Sequence, residues 1–177
     1  MTANMTKKHI LFLFLVTILT GVAGTLNAQR YVGGDISMLP CYETAGVTYK
    51  DNSGTTISGD LIAYLKTQGW NSMRVRLFVD PETYKSTTTE YWNEGARQTL
   101  NDVKALGKRI KDAGLKFLLD IHYSDTWTDP EKHLAPQRWT KSSEYADSVY
   151  AYTKEVLETL VAYGATPDFI QVGNELN

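Results

Sequence analysis

Thiols are nearly missing from this chain. Cys41 is the only cysteine in 177 residues, so no internal disulfide can form and the fold must rest on its apolar core. Cys41 itself reads as a small buried filler. Charge of one sign is missing too. Lys and Arg number 18 against 20 Asp and Glu, net −2, which leaves no electrostatic footprint for nucleic acid or another polyanion. Metal-ligand spacings are absent: neither Cys-x-x-Cys nor His-x-x-x-His occurs, and His122 with Asp125 alone does not make a zinc site, so no metal is assigned. Gly33-Gly34-Asp35 is not the Gly-x-Gly-x-x-Gly of a dinucleotide-binding turn. No low-complexity tract or linker interrupts the chain after residue 28.

One long apolar run exists, and it stands at the start. Lys7 and Lys8 precede Ile10 to Leu19, apolar except for Thr17, and Gly21 to Ala28 then turn small and polar. That order is the one of a secretory signal peptide. The run is about half the roughly 20 residues needed to cross a bilayer, although a membrane anchor is the alternative reading. Residues 1–28 are therefore assigned as the signal, with cleavage after Ala28, and residues 29–177 as the folded part.

What fills that part is a repeated pattern. Leu61 to Leu65, then Leu100, Val103, Leu106 and Ile110, then Tyr145, Val149, Tyr152, Val156, Leu160 and Tyr163 have helical spacing. Each helix stops at a glycine, Gly69, Gly114 or Gly164, the residue that takes positive φ most readily. Each runs straight into an apolar strand: Ser72 to Phe78, Lys116 to Ile121, Phe169 to Val172. The glycines lie 45 and 50 residues apart, which suits one helix and one strand with a long strand-to-helix loop. With an opening strand around Tyr31 to Ile36, the spacing predicts four strands and three helices of an α/β fold with parallel strands. That is the first half of a (β/α)8 TIM barrel, which usually needs about 250 residues. An open doubly wound sheet is the alternative. The last strand reads as buried, and the chain stops on it.

Polar residues collect where these strands end: Asp35, Arg74 and Arg76, Asp120 and His122, Asn174 and Glu175. In barrels that rim carries the chemistry. Glu175 is the candidate proton donor of a glycosidic cleavage, which needs two carboxyls, one of them kept protonated by burial or by a like charge. Asn174 is placed to donate to a sugar hydroxyl, although Asn-Glu also reads as a strand end followed by a helix cap. Arg74 and Arg76 read either as ion-pair partners of Asp35 or Asp120 or as holders of an attacking carboxylate. His122 reads as a satisfied core histidine or a sugar ligand. The loop 123–143 carries Trp127 and Trp139. Trp127 is open between loop packing and stacking on a sugar ring, while Trp70 and Trp92 read as packing.

Gly33-Gly34-Asp35-Ile36-Ser37, Gly69-Trp70-Asn71-Ser72-Met73-Arg74-Val75-Arg76, Asp120-Ile121-His122-Tyr123-Ser124-Asp125-Thr126-Trp127-Thr128-Asp129-Pro130 and Gln171-Val172-Gly173-Asn174-Glu175 occur in this order. Together they resemble the endo-β-1,4-galactanases of glycoside hydrolase family fifty-three. The resemblance implies a (β/α)8 barrel that cuts β-1,4-galactan, a pectic polysaccharide, with retention. By motif, Glu175 would be the acid/base. Asn174, His122, Asp125, Trp127, Arg74 and Asp35 would bind substrate. The family's nucleophile is a glutamate on a later strand, with no matching position here, so residues 29–177 alone are expected to be inactive. Thr128 stands where relatives often have alanine. No cofactor is implied; the calcium sites of some relatives lie in later segments. The implied partner is the polysaccharide, with no nucleic acid, no membrane after signal cleavage, and a monomeric complete enzyme in the periplasm or outside the cell. A mannanase or cellulase of the same clan, or a non-catalytic glycan-binding protein, are the alternatives.

Overall fold

Strand β2 (Ser72–Leu77) lies at the heart of the molecule, and its alternation explains the layers. In the computed structural model, which describes residues 30–82 and 98–176, Met73, Val75 and Leu77 are fully buried under helices. Ser72, Arg74 and Arg76 point to the opposite, concave face and stay half-buried. The signal peptide assigned to residues 1–28, Trp92 and the end of the loop after β2 lie outside the described residues.

β1 (Gly33–Asp35), β2, β3 (Lys116–Ile121) and β4 (Phe169–Val172) form one four-stranded parallel sheet in the order β1-β2-β3-β4. Chain order and sheet order coincide, as they do around a barrel; a doubly wound sheet would reverse direction at a switch point. The architecture is thus the first half of a (β/α)8 barrel. Register places Asp35 beside Arg74, Arg76 beside Asp120, and Asp120 beside Gln171. Residues paired across parallel strands share a face, so these polar groups line the concave side together.

The helices are α1 (Leu39–Thr44), α2 (Leu61–Thr67), α3 (Leu100–Asp112) and α4 (Tyr145–Tyr163), the last preceded by a 3₁₀ turn at Ser142–Glu144. Asp60 caps α2 by accepting from the Ile62 amide at 3.0 Å. Thr99 and Asp102 form a reciprocal capping box on α3. Gly164 ends α4 at φ 79°. Val103, Leu106 and Ile110 of α3 are buried against the sheet, each contributing roughly 1.5–3 kcal/mol. Gly107 lets α3 come close: a Cβ there would sit 2.7 Å from the Phe117 ring. Gly33 does the same between β1 and β2, where a Cβ would lie 1.7 Å from the Ser72 carbonyl oxygen.

Three differences from the sequence reading stand out. A fourth helix, α1, occupies the loop after β1; it has only six residues, opened by Pro40, too few to show a period. Cys41 on α1 is half-buried, not enclosed. β4 is not buried. Val172 is 61% exposed, because β4 has a partner strand, β3, on one side only. Among the described residues no helix is long and apolar enough to cross a membrane.

Candidate active site at the strand ends

Arg74 is the hub of the concave face. Its guanidinium donates to Asp35 Oδ2 at 2.9 Å, to Asp120 Oδ2, and to Asn174 Oδ1 at 3.0 Å. Asp120 is fully buried, and Arg74 is the cation paired with it there. Both ion-pair partners foreseen for Arg74 are therefore real. Arg76 Nε lies 3.2 Å from Asp35 Oδ2 and 3.2 Å from the Ser37 hydroxyl, which also accepts the Arg76 amide at 2.8 Å. Two guanidiniums and two carboxylates thus balance across β1, β2 and β3.

The Arg74 contact also settles the orientation of Asn174. A guanidinium only donates, so the atom it meets is the amide oxygen, and Nδ2 faces the Thr128 carbonyl at 2.6 Å. Gln171 Nε2 adds a second donor to Oδ1 at 3.3 Å. Asn174 is 2% exposed and cannot turn without breaking these bonds.

His122 is equally fixed. Its Nδ1 accepts from the Thr128 amide at 3.2 Å, so that nitrogen carries a lone pair, and in the neutral ring the proton sits on Nε2. The Thr128 hydroxyl, 2.9 Å from the same Nδ1, must then be a donor. Nε2 faces Asp120 Oδ2 at 3.2 Å without the alignment of a full hydrogen bond; among the described residues Asp120 Oδ1 has no partner either. The Phe78 ring closes one side of the imidazole, 4.7 Å between centroids, and Trp127 another at 5.2 Å. Trp127 is 40% exposed, with Arg76 stacked 5.2 Å from its ring centroid. Trp127, Arg74, Arg76 and Asp35 border a cleft of about 530 Å³ that continues past Tyr42 and Trp70. Trp139 packs against Tyr145 and Tyr152.

Asp125 is turned into its own loop. Oδ1 accepts the Asp80 amide at 2.9 Å and Oδ2 the Gln137 amide at 2.7 Å, so this carboxylate braces the loops after β2 and β3. Burial pushes its carboxyl above the usual range, and the two amides pull the other way.

Glu175 differs from all of these. It follows the buried Asn174, sits at φ 51°, and is exposed. Tyr123, after the buried His122, has the same φ of 51°. Left-handed backbone at a non-glycine residue costs about 1–2 kcal/mol and is held by its surroundings. Here the Gly173 amide, bonded to the Ile121 carbonyl at 3.0 Å, and the pinned Asn174 side chain hold the turn. The described residues do not supply the enclosure that a proton donor needs. Ser37, Gln171 and the Thr128 hydroxyl join the network although sequence reasoning assigned them no site role; all three stood inside the quoted motifs, which was the signal available.

A sequential parallel half-barrel with an arginine-centred polar rim defines a (β/α)-barrel protein whose site lies at the carboxyl ends of its strands. Residues 31–177 match the model of Glycosyl hydrolase family 53, and the chain belongs to that family. It is 40% identical over 161 residues to an arabinogalactan endo-β-1,4-galactanase of Cellvibrio japonicus, covering 89% of this chain and 39% of that protein. It is 32% identical over 171 residues to an endo-β-1,4-galactanase of Bacillus subtilis, covering 96% and 38%. Among solved structures, the family 53 catalytic domain of Ignisphaera aggregans superposes with a TM-score of 0.72 at 31% identity, covering 85% of this chain and 41% of that one. The chain spans about 40% of the length of these relatives.

Proposed function

We propose that this chain is the amino-terminal half of an exported endo-β-1,4-galactanase that acts with retention. The observation that carries the reading is the lock on Asn174. Arg74 and the Thr128 carbonyl fix its amide at the rim, next to Glu175, and leave one Nδ2 hydrogen for a sugar hydroxyl. In this reading Glu175 protonates the leaving oxygen and then acts as base toward water, while a second carboxylate outside the described residues attacks the sugar. Trp127, half-exposed beside Arg76, offers an apolar face to a sugar ring. The names of the relatives support galactan over mannan or cellulose. Export to the periplasm or beyond rests on the signal-like residues 1–28, and the partner is the polysaccharide alone. The test is hydrolysis of β-1,4-galactan by the protein from its full reading frame beside Glu175→Gln. A loss of roughly a hundredfold or more is expected; equal rates would remove Glu175 from the reaction.

A further inference from the structure

The polar contacts around the rim close on themselves at one residue. Starting from the Thr128 side chain, the hydroxyl meets His122 Nδ1 at 2.9 Å, and His122 Nε2 faces Asp120 Oδ2 at 3.2 Å. The same Asp120 oxygen accepts from Arg74, and Arg74 holds Asn174 Oδ1 at 3.0 Å. Asn174 Nδ2 then returns to the Thr128 carbonyl at 2.6 Å. Thr128, His122, Asp120 and Asn174 are each at most 3% exposed. Four of the five links are hydrogen bonds and the His122–Asp120 link is a close approach without full alignment; in a low-dielectric setting such contacts reinforce one another.

We propose that Thr128 is a positioning residue for the galactan-cleaving reaction, a role that rests on the function proposed above. Its hydroxyl holds the imidazole of His122 as the Nε2–H tautomer turned toward Asp120, and its carbonyl holds the amide beside Glu175. One loop residue thereby sets the direction of two groups on different strands. The backbone amide of Thr128 also reaches Nδ1, at 3.2 Å, so the hydroxyl is the shorter of two donors and the one that a side-chain change removes alone. Among the described residues the groups facing the imidazole are Asp120 from β3, Arg74 behind it on β2, Phe78, and Trp127 with Arg76 stacked on it. None of them donates to Nδ1, so none replaces the hydroxyl.

Thr128→Val keeps shape and main chain and removes the donor; Thr128→Ser keeps the donor. Both are made in the protein from its full reading frame, with long-range ¹H–¹⁵N spectra of the imidazoles assigned by loss of signal in His122→Gln. For Val we expect the His122 Nδ1 resonance to move away from its hydrogen-bonded position and kcat on β-1,4-galactan to fall roughly five- to tenfold, the size of one neutral hydrogen bond, with KM little changed. Ser should restore both. The proposal is overturned if Val leaves either the resonance or kcat as in wild type, or if Ser behaves like Val. Should the wild-type protein leave galactan uncut, the galactanase reading fails by itself, and the Nδ1 resonance of Val against Ser still decides whether the hydroxyl holds the ring.

Discussion

β2 and the turn after β4 show two kinds of order. At β2, Arg74 meets three acceptors, from β1, from β3 and from the turn after β4, and one of them is a fully buried carboxylate. At β4, one residue past the buried Asn174, Glu175 reaches solvent on a left-handed backbone. The difference separates a pinned part of the rim from an open one. The frame that orients groups is complete within these four strands. The surroundings of Glu175 are not enclosed by the described residues.

The sharpest way to break that contrast is Arg74→Met. It strips the counter-ion from Asp120 and a donor from Asn174, so the expected cost is about 3–5 kcal/mol. Chemical denaturation measures it, and a cost under about 1 kcal/mol would mean that the frame is not held by Arg74. Asp125→Ala comes next. It leaves the Asp80 and Gln137 amides without their acceptor, at about 1–3 kcal/mol, and the loop around Gln137 should become a site of faster proteolysis.

Asp168→Asn probes the opposite end of β4. There Lys111 at 2.6 Å, Lys116 at 2.8 Å and the Phe117 amide at 2.9 Å converge on one carboxylate. Burial pushes that carboxyl up, but together the three donors outweigh it and bring it down to about 2. A folded-state value below the unfolded value of about 3.9 means stability that is fully present above pH 4 and lost as pH falls toward 2. Because the lysines are partly exposed, the contribution is discounted to roughly 1 kcal/mol. The stability gap between wild type and Asp168→Asn should therefore be flat from pH 5 to 7 (both about a unit or more above the titration) and close below pH 4. Lys108→Ala is the smallest case. Its pairing with Asp112 is 2.7 Å long but exposed on both sides, so unfolding should shift by less than about 0.5 kcal/mol.

Much of the fold was legible because glycine punctuates it. Gly69, Gly114 and Gly164 mark where helices yield to strands, and β3 and β4 begin and end at the residues their apolar runs give. The short α1 was not legible, since six residues behind Pro40 hold no period. The burial of β4 was misread because an apolar run carries no information on whether a second strand lies beside it. In the site, the places of Asp120, His122 and Asn174 followed from strand ends, and that of Arg74 from the alternation along β2. Their partners did not. Ser37 meets Arg76 across a gap in sequence that only the register of the sheet closes, while Gln171 and the Thr128 hydroxyl meet Asn174 and His122 within turns whose shape no periodicity reports. Asp125 stood in a motif that suggested ligand contact, and the structure gives both its oxygens to main-chain amides.

The role of Glu175 is tested most directly by chemical rescue. Glu175→Ala in the protein from its full reading frame is given an activated aryl β-galactoside, whose leaving group needs no proton, with and without azide. If Glu175 is the acid/base, azide will speed turnover and the product will be the β-galactosyl azide. No acceleration, or an α-configured azide, would contradict that role.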